Sequence, residues 1–130
     1  LGIGYVSDRT GRVRVFVACS VLMGLCLLAL PFARGAAAIL TVAVVFGVGY
    51  GGNGALLSPL VADLFGLDDI GTLYGVASIA FAVAGLSAPP LATAAFESVG
   101  EYTLVFLVTG LVGLLGAGFV AAAGRTAPAR

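Results

Sequence analysis

The sequence predicts an all-α protein, a polytopic transmembrane helix bundle of four spans, and three observations carry that expectation. Hydrophobic residues fill 61% of the 130 positions and charged residues only 9%, where an ordinary soluble domain has about 25% charged. The mean hydropathy is +1.18. The six basic and six acidic residues fall in five short segments, at 8–14, 34, 63–69, 97–101 and 125–130, and leave four long uncharged runs between them. Each run meets the roughly 20 residues needed to cross about 30 Å of hydrocarbon. In lipid the backbone polar groups of such a run must be satisfied within the segment, which makes each one a helix.

The first run, 15–33, follows an arginine-rich segment and predicts a span at 14–33. Its two cysteines, Cys19 and Cys26, lie seven residues apart on roughly one helical face. The chain contains no histidine, so a metal or redox pair lacks support and both cysteines read as small apolar packing residues. No cofactor is expected.

The second run, 35–62, predicts a span at 36–60. It holds Gly47, Gly49, Gly51, Gly52 and Gly54, then Pro59. Gly47 and Gly51 have the small-xxx-small spacing that lets neighbouring helix backbones approach, which predicts helix packing there. The third run, 70–96, predicts a span at 71–96, with Gly85 and Pro89 as further packing positions. Pro89 and Pro90 remove backbone donors and predict a kink near its far end. The fourth run, 102–124, predicts a span at 102–123 with Gly110, Gly113 and Gly116 at three-residue steps.

Orientation follows from arginine placement, because loops rich in positive charge stay cytoplasmic. Arg9, Arg12, Arg14, Arg125 and Arg130 collect on one side and Arg34 alone lies on the other. Both ends are therefore expected in the cytoplasm of a cell (inner or plasma) membrane, with cytoplasmic loops at 5–13 and 61–70 and a cytoplasmic tail at 124–130. An even number of spans independently requires the two ends to share a side. The chain opens at Leu1 directly in apolar sequence, so a portion of a longer protein is expected.

Zero net charge leaves no basic face for nucleic acid. An integral membrane enzyme is also disfavoured, since no histidine, clustered intramembrane carboxylates or nucleophile with an accompanying base is present.

The segment 4–14 reads Gly4-Tyr5-Val6-Ser7-Asp8-Arg9-Thr10-Gly11-Arg12-Val13-Arg14. On physical grounds it is a tight cytoplasmic hairpin, in which Gly11 permits the turn and Asp8 pairs with an arginine or caps a neighbouring helix. Asp63, directly after the second span, is placed to pair with an arginine of this loop. The segment resembles the signature loop of the major facilitator superfamily, Gly-x-Leu-(Ala/Gly/Ser)-Asp-Arg-x-Gly-Arg-basic, with Gly4, Asp8, Arg9, Gly11 and Arg12 in place. Val6 stands for Leu, and Val13 departs from the basic position while Arg14 supplies a charge one residue later.

A second pattern, Gly49-Tyr50-Gly51-Gly52, Ala62-Asp63-Leu64-Phe65-Gly66, Gly71, Tyr74-Gly75, Gly85 and Pro89, is similar to the oxalate/formate antiporter and monocarboxylate transporter branch. Some members of that branch carry a basic residue in helix eleven, whereas 70–96 contains no Lys or Arg. Either the anion-binding charge lies elsewhere in the protein or the substrate is different.

The resemblance implies that residues 1–130 form the C-terminal portion of a transporter domain, helices nine to twelve. It implies a secondary transporter, an antiporter or symporter, that moves a small organic anion such as a carboxylate by alternating access. Gly4, Asp8, Arg9, Gly11 and Arg12 would form its cytoplasmic gate. The implied partners are the small-molecule substrate, a coupling ion, the lipid bilayer and the N-terminal half of the transporter.

In that fold helices ten and eleven face the central path, so substrate contacts are sought on the second and third spans. Phe46, Tyr50, Asn53 and Leu57 form one stripe on the second. Intramembrane polar groups face the bundle interior or a water-filled cavity, although Asn and Tyr also serve as interhelical hydrogen-bonding groups worth about 0.6 to 2 kcal/mol. Ser78 and Phe81 form a comparable stripe on the third, where serine hydroxyls commonly bond back to their own helix. Tyr50, Asn53, Ser78 and Phe81 are the substrate-path candidates. The alternative is a small four-helix membrane subunit or assembly protein with no transport activity, for which the arginine loop is topology alone.

Overall fold

In a computed structural model the chain is described at Ser7, 9–66 and 70–126, with only the backbone described for Leu64 and Thr126. Gly4 and Asp8 of the expected gate lie outside the described residues. The described elements are all helical. α1 covers Arg12–Ala29 and runs on through a 3-10 turn, Leu30–Phe32; α2 covers Ala36–Phe65, α3 Ile70–Val99 and α4 Thr103–Thr126. All four are long and apolar enough to cross a membrane.

Local sequence sets the ends. Pro31 lies in the first positions of the 3-10 turn, and Ala33 leaves it in an extended conformation. Gly66 stops α2 at φ 86° and ψ −178°, a region open essentially to glycine alone, while its N–H still donates to the Ala62 carbonyl at 2.9 Å. Gly100, at φ 81°, closes α3 in the same way on the Phe96 carbonyl. There the rings of Phe96 and Tyr102 stack at 4.5 Å and hold the α3–α4 turn.

Helix and span are not the same length. Thirty residues of α2 or of α3 rise about 45 Å, well beyond the hydrocarbon thickness, so each helix tilts or projects past the lipid. Thus α2 continues through 61–65 and α4 through 124–126, stretches that the sequence reading gave to a loop and a tail. α3 is one continuous helix through Pro89 and Pro90.

α1 is the hub. It packs along its length against α4 and α2, whereas α3 touches α2 and α4 only lightly and buries none of its residues. Five described positions of α2 are buried, and four of them, Gly49, Gly52, Leu56 and Leu60, recur on one face toward α1, with Val61 beside them. Cys26 is buried with them, and both cysteines are free thiols.

The close approaches are not where the glycine spacing predicted them. A Cβ placed on Gly47, Gly51 or Gly85 would meet nothing within 4 Å. On Gly49 it would lie 2.8 Å from Met23 Cγ, and on Gly110 it would lie 2.8 Å from Leu28 Cγ and 3.0 Å from the Gly24 carbonyl. The reason is angular: two residues turn a helix by about 200°, so Gly47 and Gly51 point away from the face that Gly49 presents to α1. Pro89, likewise, lies on a helix with no buried residue.

Large apolar side chains stay exposed on these helices, among them Val44 at 67%, Leu86 at 79% and Phe119 at 76%. Water does not tolerate apolar surface on this scale. Lipid does, and the chain is a multi-pass membrane protein.

Candidate functional site

The four substrate-path candidates line one groove. Its volume is about 490 Å³, and it lies where α1, α2 and α3 face one another. α2 contributes Tyr50, Asn53 and Leu57, α3 contributes Ser78 and Phe81, and α1 contributes Phe16 and Met23. The stripes expected on the second and third spans therefore converge, because residues spaced by three and four on each helix share a face. Tyr50 also stacks on Phe46 one turn away, with ring centroids 6.3 Å apart.

Asn53 carries the polar chemistry of the groove. Its Nδ2 donates to Ser20 Oγ at 2.9 Å and approaches Met23 Sδ at 3.6 Å. The Ser20 hydroxyl donates in turn to the Phe16 carbonyl on its own helix. Asn53 is thus an interhelical clasp between α1 and α2. Its Oδ1 is shielded from solvent and has no hydrogen-bond partner among the described residues, which leaves an acceptor beside the groove. A second opening of about 520 Å³, between α1, α2 and α4, reaches Asn53 from the other side.

Ser78 behaves otherwise. Its hydroxyl donates to the Tyr74 carbonyl at 2.8 Å, one turn back, the self-satisfying bond expected of a helical serine. The oxygen keeps acceptor capacity toward the groove. Phe81 is 67% exposed and forms an apolar wall.

At the opposite pole of the site, Arg12 Nη1 donates to Asp63 Oδ1 at 2.9 Å. The pair ties the start of α1 to the last turn of α2 across 51 positions of sequence. Both side chains are substantially exposed, 35% and 50%. Gly11, at φ 95°, precedes α1 and turns the chain into it, and Arg9 is exposed. Of the five residues expected to form a gate, Arg9, Gly11 and Arg12 are therefore placed together at one end of the bundle.

Sequence reasoning missed Ser20 and Met23 as the partners of Asn53. A signal existed, since Ser20 is the only hydroxyl in the run 15–33 and Asn53 the only carboxamide in the chain. Among the described residues no group of His, Cys, Asp and Glu could hold a metal ion.

The profile of the Major Facilitator Superfamily matches residues 1–130. Among curated proteins, the MFS transporter asaE of Aspergillus flavus is 32% identical over 92% of this chain and 28% of its own length. The MFS-type transporter opdF of Penicillium oxalicum is 33% identical over 86% of this chain and 28% of its own. Monocarboxylate transporter 2 of Mus musculus is 29% identical over 78% of this chain and 21% of its own. The chain thus spans about a quarter of the length of these relatives. No solved structure gives a significant match.

Proposed function

Because the chain belongs to the major facilitator superfamily, we propose that it forms helices nine to twelve of a secondary transporter that moves a small organic anion, a monocarboxylate, by alternating access. The observation that carries the reading is the convergence of Tyr50, Asn53, Ser78 and Phe81 on one groove. α3, with no buried residue in this chain, is the face on which the remainder of the transporter closes, and Gly85 is available for close approach there. The similarity to Monocarboxylate transporter 2 supports the substrate class.

The groove is largely apolar with a few hydrogen-bonding groups and contains no ionised side chain. It suits a short acid whose hydrocarbon part packs on Phe81 and Leu57 and whose polar end meets Asn53. Burying a carboxylate without a partner is costly in the membrane, so the compensating cation comes from the other half of the protein. Tyr50 and Ser78 orient rather than neutralise.

At the cytoplasmic end, Arg12 and Asp63 form part of the gate together with Asp8 and Arg9. Their contact holds α1 against α2 in one state and is released when the two halves rock and the groove opens to the other side. Exchange or ion co-transport supplies the driving force, and both chain ends face the cytoplasm of a plasma or inner membrane.

Uptake of a panel of small carboxylates by proteoliposomes of the complete transporter tests the reading, with Asn53→Ala and Phe81→Ala alongside. Saturable uptake of a monocarboxylate, weakened by both substitutions, is expected. Transport confined to cations or sugars, or variants equal to the parent, would overturn the substrate path assigned here. Asp8→Ala and Arg12→Ala are expected to slow uptake with membrane insertion intact.

A further inference from the structure

Four arginines meet around one cavity at the end of the bundle where α1 begins and α4 finishes. The cavity has a volume of about 930 Å³; Arg9, Arg12, Arg14 and Arg125 form its rim, and Val17 and Ala121 lie beneath them. The two helices are locked at this point. Val13 on α1 packs so closely on Gly124 of α4 that any side chain at 124 would collide with it. The arginines of the two helices are thereby held at a fixed spacing rather than scattered over a loop.

The cavity is charged at the top and apolar below. Val17 lies five residues into α1 from Arg12, and Ala121 lies four residues before Arg125 on α4. At the helical rise these positions are about 6 to 8 Å below the charged rim, on the hydrocarbon side of a membrane surface. Arg12 also holds Asp63. Arg14 and Arg125, one from each helix, are exposed and make no ion pair among the described residues. Clustered guanidinium groups repel one another and bind phosphate oxygens in bidentate fashion. A soluble phosphate ester would use the rim alone, whereas a glycerophospholipid also has acyl chains for the wall of Val17 and Ala121. Basic pockets between spanning helices are suited to anionic headgroups.

We propose that this cavity binds the phosphate headgroup of an anionic glycerophospholipid, with Arg14 and Arg125 as its principal ligands and the acyl chains lying along α1 and α4. The site does not depend on the transport reading. It requires only that the arginine-bearing ends of the chain sit at the membrane surface.

The full chain, purified in neutral detergent, is titrated with phosphatidylglycerol, with phosphatidylcholine of the same acyl chains, and with chain-free glycerophosphoglycerol, and retained ligand is read by native mass spectrometry. Phosphatidylglycerol should be retained at least about tenfold more strongly than phosphatidylcholine. R14Q/R125Q should weaken that retention about twenty-five-fold, the product of a roughly fivefold effect for each arginine, while R14K/R125K keeps most of it. Equal retention of the two lipids by the parent would overturn the proposal whatever the variants do. Retention unchanged in R14Q/R125Q would overturn the assignment of the ligands. Chain-free headgroup bound as tightly as the lipid would replace the lipid with a soluble phosphate ester.

Discussion

Adding one methyl group at Gly110 should loosen the bundle, and adding one at Gly47 should not. At Gly110 the new Cβ would lie 2.8 Å and 2.9 Å from Leu28 and 3.0 Å from the Gly24 carbonyl oxygen, where ordinary contact begins near 3.4 Å. Leucine can rotate away, but the carbonyl belongs to the backbone of α1. The helices must therefore part by a few tenths of an ångström along the extensive α1–α4 contact. Overpacking of this kind costs about 1 to 3 kcal/mol. At Gly47 the methyl meets nothing within 4 Å. Both variants gain the same helix propensity, about 1 kcal/mol in favour of alanine, so their difference isolates the packing term. Unfolding of the full chain by sodium dodecyl sulfate in mixed micelles reads that difference. Gly110→Ala should fall below Gly47→Ala by about 1 to 3 kcal/mol. Equal midpoints for the two would refute the close α1–α4 contact.

Three further outcomes follow from the polar contacts. Asn53→Ala and Ser20→Ala should each cost about 0.6 to 1.7 kcal/mol, and a double-mutant cycle in the same unfolding assay should show the two effects coupled; strict additivity would mean that the clasp does not form. Arg12→Ala and Asp63→Ala should change stability by less than about 1 kcal/mol, since both groups are exposed, and that small effect should shrink at high salt. In uptake assays the same substitutions should slow transport, and the charge-reversed pair R12D/D63R should recover more than either single reversal; no recovery would remove the pair from the gate.

The number of membrane-length helices was legible because lipid imposes one harsh condition, and the six acidic and six basic residues obey it by collecting between the apolar runs. The helix ends were less legible. Nothing in the sequence of α2 marks where hydrocarbon gives way to water, and the helix persists through Asp63 to Phe65 until Gly66 stops it. Helix contacts were harder still. Five glycines between positions 47 and 54 give α2 a small residue on nearly every face, so spacing alone could not choose Gly49 over Gly47. The choice is made by Cys19 and Met23 on the partner helix, which no pattern within α2 contains. The pairing of Arg12 with Asp63 was suggested by position, because a carboxylate directly after a span returns to the side where the arginines lie. Asn53 was found as an isolated polar residue, while its bond to Ser20 depends on the register between two helices.

Thiol labelling tests most directly whether the groove between α1, α2 and α3 is a water-filled path. With Cys19 and Cys26 replaced by alanine in the full chain, single cysteines at Tyr50, Ser78, Leu115 and Phe119 are exposed to a membrane-impermeant reagent. Tyr50→Cys and Ser78→Cys should react and be protected by saturating substrate, whereas Leu115→Cys and Phe119→Cys, on an exposed face of α4, should stay unreactive in lipid. Silence at positions 50 and 78, or equal labelling at 115 and 119, would contradict the account.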